Sequence, residues 1–271
     1  MSVNDITLTG GIRAALANLQ MQAILQARTT ERLSTGLRVN SPIDDAAAYF
    51  AAQDHRNQAN DLSALKDAMG EAVQTVDAAT QGVKAITSLI EQAKGLVASA
   101  RSATVADRAT LATQYSALLT QIDQLAGDAG YKGTNLLATG STLTVTFNES
   151  GSSTLTITGF DASTTGLAIA APTGSWAADS DIQTSSNALD AALKTLQTNS
   201  ASLSSNDGVI AARQQFTSDL INTLSTGADN LTMADTNEES ANMVTLQTRQ
   251  QIAIGAMNLS NQASQAILKL F

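Results

Sequence analysis

The sequence contains no cysteine and a single histidine, His55, and these scarcities remove most common kinds of reactive site. Without thiols the chain can form neither disulfides nor thiolate metal sites. One imidazole is too few for a histidine-rich metal site, and no Ser-His-Asp arrangement with a second base is available. The sequence also has no glycine-rich phosphate loop. It therefore predicts neither an enzyme nor a chain with a metal or an organic cofactor.

Proline, aromatic residues and positive charge are also scarce. The chain has two prolines in 271 residues, 3% aromatic residues and a net charge of -9. This composition favours long, narrow helices over a thick globular core. The acidic balance argues against a nucleic acid partner. No apolar run approaches the ~18–20 residues of a membrane span, so no membrane partner is expected, and the N-terminus lacks the pattern of a secretory signal.

What the sequence does contain is apolar residues at coiled-coil spacing. In the longest stripe, every heptad position from Leu62 to Ala100 is apolar, and we interpret this stripe as an intramolecular packing core. The pattern predicts a helix from about Ala46 to Ala100. Shorter stripes lie within 12–37, 111–125, 189–231 and 252–270. Polar members and Gly208 predict a less regular middle for the stripe at 189–231.

The period changes to two between Thr139 and about Asp181. The segments "TLTVTF" and "TLTITGF" alternate threonine with apolar residues around "NESGSS", which predicts a β-hairpin. The sequence leaves open whether Trp176 packs under this hairpin or is exposed. The predicted fold is mainly α: a long antiparallel coiled-coil-like rod formed by the N- and C-terminal regions, with a small β-hairpin insert in the middle.

The stretch "ERLSTGLRVNSPIDD", residues 31–45, interrupts two helical patterns. Gly36 is predicted to stop the first helix because glycine adopts the left-handed conformation readily. Ser41 is predicted to be the N-cap of the next helix, with Pro42 at its first position. We therefore expect a partly extended connector between the two helices.

Charged residues are concentrated in the same connector. Asp44 and Asp45 would lie in the first helical turn, where the helix dipole favours negative charge. Arg32 and Arg38 are close enough in sequence to pair with them. The candidate interface residues of the connector are Arg32, Leu33, Gly36, Arg38, Asn40, Asp44 and Asp45.

Three motifs follow one another along the chain. They are "RLSTGLRVNSPIDDAAAYFAA", then "YKGTNLL" at 131–137, and then a C-terminal segment with an Ala-Asp start, a Gln-Gln pair and a Leu-x-Leu-Phe end. Together they resemble the conserved regions of bacterial flagellins, the subunits of the flagellar filament. The resemblance spans about the first 137 and the last 90 residues. It implies a short flagellin without large outer domains.

The resemblance implies a division of the chain into six segments. Residues 1–33 and 234–271 would be the paired inner helices, 34–46 the spoke, 47–138 and 182–233 the helices of the rod domain, and 139–181 the short variable insert. The apolar stripes of the two inner helices supply the packing candidates Ile12, Leu16, Leu19, Ala23, Ile252, Ala256, Leu259, Ala263 and Leu270.

The resemblance also implies a function. The chain would polymerise into the flagellar filament for swimming motility. Its terminal segments would fold on assembly, because a lone helix pair with one apolar stripe buries too little surface to offset the ordering of its backbone. The last segment carries an uncharged amide face. We interpret it as candidate lining of the filament channel, formed by Gln251, Asn258, Gln262 and Gln265.

Location and partners follow from the same resemblance. The chain would be extracellular, in the filament, after type III export without a cleaved signal peptide. Its partners would be itself or sister flagellins, an export chaperone, the filament cap and the hook-junction proteins. In place of the Arg-x-Arg-Glu-Leu run of flagellins that activate the animal innate receptor, the chain has "QAKGL", from Gln92 to Leu96. Weak receptor activation is therefore expected.

Two alternatives remain at this point. The hook–filament junction protein shares the Leu-Ser-Thr-Gly and Asn-Ser-Pro features, but it typically has Asp-Asp-Pro where this chain has Asp44-Asp45-Ala46. A non-flagellar coiled-coil scaffold could show the same heptads. It would not need the three motifs, and it would form a closed oligomer.

Overall fold

The computed structural model describes the backbone of residues 10–268, with the side chains of residues 10–12, 261, 264 and 266–268 left out. Within this range the helices are α1 (Gly10–Thr35), α2 (Ala46–Ser102), α3 (Val105–Asp128), α4 (Asp179–Thr232) and α5 (Thr236–Leu268), and the strands are β1 (Thr142–Thr146) and β2 (Thr154–Thr158). The prediction of a mainly α fold with one small hairpin is confirmed.

The chain divides into two compact units. The central unit is Gln58–Asn222. The terminal unit is the described part of Met1–Asn57 and Thr223–Phe271. The first and the last described residues thus both belong to the terminal unit, and the hairpin belongs to the central unit.

The core of the central unit is built on the long stripe of α2. Eleven of its twelve members between Leu62 and Ala100 are buried, and the twelfth, Leu65, is half-buried against the core. The same cluster includes Tyr115 of α3 and Leu196 of α4. The prediction that this stripe is an intramolecular packing core is confirmed.

Helix α4 is continuous from Asp179 to Thr232, so the prediction of a less regular middle is wrong. Leu203 and Ile210 are fully buried and sustain the packing on either side of the polar positions. Gly208 costs a helix interior only about 1 kcal/mol relative to alanine. Burial of the neighbouring apolar residues outweighs that cost.

The hairpin has the predicted alternation. Strands β1 and β2 are antiparallel, with Thr142 opposite Thr158 and Val145 opposite Leu155. Val145 and Ile157 are buried, while threonines line the other face. The apolar face of the hairpin therefore closes part of the central core.

Trp176 lies in the core rather than on the outer wall. Its ring is 5.0 Å from that of Tyr115, and its indole N–H donates to Ser185 Oγ at 3.0 Å. It ends a tight turn in which Gly174, Ser175 and Trp176 all have positive φ. Burial raises the pKa of Tyr115 to about 12, and Ser185 partly offsets that rise.

The motif at 131–137 closes the end of α3. Asn135 Nδ2 donates to the carbonyl oxygens of Ala126 and Gly127 at 2.8 and 3.0 Å, which satisfies acceptors that a helix end leaves open. Leu136 and Leu137 then enter the core. This motif therefore serves the folding of the central unit.

Candidate assembly surface and connector

The connector begins where Gly36 ends α1. The backbone of Gly36 has φ +70°, and its N–H donates to the Arg32 carbonyl oxygen at 2.8 Å. Helix α1 accordingly ends at Thr35. The prediction that Gly36 stops the helix is confirmed.

The next residues are bound to the segment between α4 and α5. Arg38 and Val39 both donate their N–H groups to the Thr232 carbonyl oxygen, at 2.7 and 3.2 Å. The Ala234 N–H donates to the Gly36 carbonyl oxygen at 2.9 Å. The terminal unit thus joins the N-terminal connector to the C-terminal one through backbone hydrogen bonds.

Residues 41–44 form a closed turn around the Asp44 carboxylate. Asp44 Oδ2 accepts from the N–H of Asn40 at 3.2 Å and from the N–H and the hydroxyl of Ser41, both at 3.1 Å. The Asp44 N–H in turn donates to the Ser41 carbonyl oxygen at 3.1 Å. Desolvation alone would raise the pKa of Asp44, but the hydrogen bonds from Ser41 and Asn40, with nearby Arg28, hold it below its ordinary value.

The N-cap of α2 is Asp45, so the prediction of Ser41 as the cap and Pro42 as the first helical residue is wrong. The Ala48 N–H donates to Asp45 Oδ1 at 3.0 Å, and the helix begins at Ala46. Asp44 and Asp45 therefore precede the first helical turn. The hydrogen-bond donors of Asn40 and Ser41 engage the Asp44 carboxylate, so the Asp45 carboxylate caps the helix.

The predicted pairing of Arg32 and Arg38 with these aspartates is also wrong. Arg32 Nη1 lies 2.6 Å from Glu239 Oε1, and the Glu239 side chain is 8% exposed. Arg38 donates to a backbone carbonyl oxygen near the end of α4 at 3.0 Å. Asp44 faces Arg28 instead, at 3.8 Å. Both arginines bind groups that are distant in sequence because the connector lies against the end of α4 and the start of α5.

The remaining connector candidates also have local positions within the terminal unit. Asn40 Nδ2 donates to Glu31 Oε1 at 3.1 Å, and Leu33 is half-buried. Sequence reasoning missed Glu239 and Arg56, whose guanidinium donates to Thr232 Oγ1 at 3.1 Å. The only signal for Glu239 was an acidic residue at the start of a helix, which cannot identify a partner 207 residues away.

Most large apolar side chains that the described structure leaves exposed lie in the terminal unit. Eleven of fourteen do so: Leu16, Met21, Ile24, Leu25, Ile43, Phe50, Met233, Val244, Ile252, Ile254 and Leu259. The other three, Val105, Val209 and Phe216, belong to the central unit. The terminal unit thus presents an extensive apolar surface.

The predicted inner-helix residues fall partly on this surface. Leu16, Ala23, Ile252, Ala256, Leu259 and Ala263 are exposed, and Leu19 is half-buried. The side chain of Ile12, and Leu270 altogether, lie outside the described residues. Helices α1 and α5 contact each other, and a groove of about 460 Å³ is lined by Met21, Leu25, Ile252 and Ala256 among others. The packing role of these residues stays a prediction.

The amide face of α5 is in contact with solvent in the single chain. Gln251, Asn258, Gln262 and Gln265 are all exposed. Channel lining stays a prediction for these four residues.

The described part of the chain contains neither a candidate metal cluster nor a candidate membrane span. No group of three or more histidine, aspartate or glutamate residues there could hold a metal ion. No helix in that part is long and apolar enough to cross a membrane.

The described part of the chain has a long helix at each end and an apolar surface that one copy leaves uncovered. These are features of a filament-forming structural protein. The bacterial flagellin N-terminal helical region matches residues 12–142, and the bacterial flagellin C-terminal helical region matches residues 186–271. The chain belongs to the bacterial flagellin family. It is thus a structural subunit that polymerises with itself and sister flagellins into the extracellular flagellar filament, which serves motility.

Two flagellins that align over most of their length agree with this assignment. Flagellin FljM of Caulobacter vibrioides is 30% identical over 275 residues, covering 100% of both chains. A flagellin of Brucella melitensis is 30% identical over 254 residues, covering 90% of each. The crystal structure of Bacillus cereus flagellin aligns with a TM-score of 0.44 and 18% identity, covering 64% of this chain and 93% of that one. The family matches leave no support for a non-flagellar scaffold.

Proposed function

We propose that the terminal unit drives polymerisation and that α1 and α5 become fully ordered when neighbouring subunits cover them. The observation that carries this proposal is the contrast between the two units. The central unit has one continuous apolar core. The buried apolar residues described in the terminal unit are only Val39, Ala52, Ala228 and Ala234.

Four small buried side chains do not offset the ordering of two helices. Fixing one residue costs roughly 1–2 kcal/mol of backbone entropy. Helix α1 contains 26 residues and helix α5 contains 33. Burying one exposed leucine or isoleucine yields about 1.5–3 kcal/mol. Packing of a second subunit on the uncovered apolar side chains of α1 and α5 therefore adds stabilisation that the single chain lacks.

The domain division fits the same scheme. Residues 1–33 and 234–271 serve as inner helices, 34–46 as the spoke, 47–138 and 182–233 as the rod domain, and 139–181 as the outer insert. Gln251, Asn258, Gln262 and Gln265 line the channel, where uncharged amides neither repel nor retain a passing chain. The subunit performs no catalysis. Its export chaperone, the filament cap and the hook-junction proteins are its partners during export and assembly.

Seeded growth tests the role of the terminal unit. Purified monomer is added to short sheared filaments, and elongation is followed by light scattering and electron microscopy. We expect the variant I252Q/L259Q to need at least about 100-fold more monomer for growth, because two apolar side chains lose their burial. A chain truncated before Ala234 should not elongate at all.

The matched control is V105Q/V209Q, which changes two exposed apolar residues of the central unit. It should elongate within about threefold of the wild type, a difference below 1 kcal/mol. Equal losses in both variants would show that surface apolarity in general, and not the terminal unit, governs growth. Normal growth of I252Q/L259Q would also contradict the proposal.

A further inference from the structure

Ile43 is the most exposed large apolar residue that the structure describes. Its relative exposure is 96%, although isoleucine is among the residues most often buried in proteins. It lies in the closed turn of residues 41–44, between Pro42 and Asp44. Ile43 is not among the interface residues that the sequence predicts for the connector.

The turn that presents Ile43 is held from several directions. Asp44 Oδ2 accepts three hydrogen bonds from Asn40 and Ser41, and the Asp44 N–H closes the turn onto Ser41. Pro42 restricts φ immediately before Ile43. On the C-terminal side, Asp45 caps α2. The position of Ile43 is therefore fixed by its neighbours, although its own side chain is almost wholly in solvent.

A fixed, exposed apolar side chain has the properties of a binding anchor. Its backbone is already ordered, so docking carries little additional entropic cost. The Asp44 carboxylate beside it has hydrogen-bond donors and Arg28 at 3.8 Å. Covering the turn therefore does not leave an unpaired charge in the contact, which would be strongly unfavourable.

We propose that Ile43 is a preformed knob that docks onto the apolar surface of a second copy of this chain. The family polymerises with itself, so a second copy is the partner that every subunit meets. Its terminal unit offers ten further exposed large apolar residues to receive the knob. The inference rests on the proposed role of the terminal unit in assembly.

Substitution of Ile43 gives the first test. I43S should raise the monomer concentration needed for seeded elongation about tenfold or more, because one isoleucine loses its burial. I43L keeps an apolar side chain and should stay within about threefold of the wild type. Both monomers should unfold with the same midpoint as the wild type, because the side chain packs on almost nothing within its own chain. Wild-type elongation by I43S would overturn the proposal.

Thiol accessibility gives a second, independent test. The chain has no cysteine, so I43C carries the only thiol. We expect a maleimide to react with I43C at least about tenfold more slowly in filaments than in monomers, as for a side chain withdrawn from solvent. S150C, at an exposed loop position of the hairpin, is the reference and should react at similar rates in both states. Equal rates for I43C in both states, or equal slowing of both variants, would overturn the proposal.

These outcomes are separable from those for the terminal unit as a whole. If I252Q/L259Q elongates normally, the proposed assembly role of the terminal unit fails. If I252Q/L259Q is defective while I43S elongates normally, that role stands and only the knob is wrong.

Discussion

At the scale of single residues, Asp207 is an acidic side chain in the packing stripe of α4. It lies between the buried residues Leu203 and Ile210, one turn from each. Its Oδ1 is buried and accepts no hydrogen bond from the described residues. Burial, together with the carboxylate of Asp77 on α2, raises the pKa of Asp207 above its ordinary value. The ionised form therefore destabilises the central unit.

Asp207→Asn should stabilise the central unit at neutral pH. The pKa of Asp207 in the folded state lies above the unfolded value of 3.8, so the folded chain binds the proton more tightly. The folded chain therefore loses stability as the pH rises from the unfolded pKa to the folded pKa. We expect D207N to raise the free energy of unfolding by about 1 kcal/mol at pH 7 and to lose this advantage below the unfolded pKa. Urea unfolding followed by Trp176 fluorescence at both pH values measures it. D67N, at an exposed position of the same unit, is the control; a D207N chain less stable than the wild type at pH 7 would refute the interpretation.

The ion pair of Arg32 and Glu239 gives a second prediction at this scale. Glu239→Gln leaves the guanidinium facing a neutral amide in a largely buried site, and removal of one partner of such a pair costs about 3 kcal/mol. E239Q filaments should therefore dissociate at a lower temperature than the wild type. R28Q breaks the more exposed 3.8 Å contact with Asp44 and should cost less than about 1 kcal/mol. Equal dissociation temperatures for E239Q and the wild type would contradict this ranking.

At the scale of elements, Gly36 and Gly95 should respond to alanine in opposite directions. Neither glycine has a heavy atom near the position of an added Cβ, so only backbone conformation differs. Gly36 has φ +70°, and alanine there should cost about 1–2 kcal/mol. Gly95 lies within α2, where alanine should gain about 0.5–1 kcal/mol.

Both effects can be measured on the intact chain. The loss of stability in G36A is measured as a lower dissociation temperature of the filaments. The gain in G95A is measured by urea unfolding followed by Trp176 fluorescence. G36N should recover much of the loss, because asparagine tolerates the left-handed conformation better than alanine. A stabilising G36A would mean that α1 does not end at this position in the filament.

Helix α2 also carries the segment Gln92–Leu96 that bears on innate recognition. Lys94 lies 2.9 Å from Asp190, and this hydrogen bond raises the pKa of Lys94. The weak activation expected of this chain follows from two missing guanidiniums and a missing carboxylate, since arginine forms bidentate pairs that glutamine and lysine cannot. The variant Q92R/K94R/G95E should raise a reporter-cell response about tenfold, and K66R should not change it. A wild-type response equal to that of an enterobacterial flagellin would contradict the expectation.

The elements differ in how far the sequence predicts them. The stripe of α2, the hairpin and the stop at Gly36 follow from local spacing and from one residue's conformational preference. The cap of α2 was not predicted, because Ser41, Asp44 and Asp45 are all suitable caps. The hydrogen bonds of the turn engage Asp44 and leave Asp45 to cap the helix. The turn at Trp176 was also not predicted, since the positive φ values of Ser175 and Trp176 oppose local preference, and burial of the indole offsets their cost.

At the scale of the whole molecule, the two units should differ in their dependence on assembly. All residues of the continuous core cluster lie between Met69 and Ile210, within the central unit. Truncation before Ala234 should therefore change the free energy of unfolding of the central unit by less than about 0.5 kcal/mol, as for a change outside the core. Urea unfolding followed by Trp176 fluorescence measures it. The same truncation should abolish seeded growth, because it removes the exposed apolar residues of α5. A large fall in the midpoint would show that the central unit needs the C-terminal segment to fold, and the failure to elongate would then reflect an unfolded subunit and not a missing assembly surface.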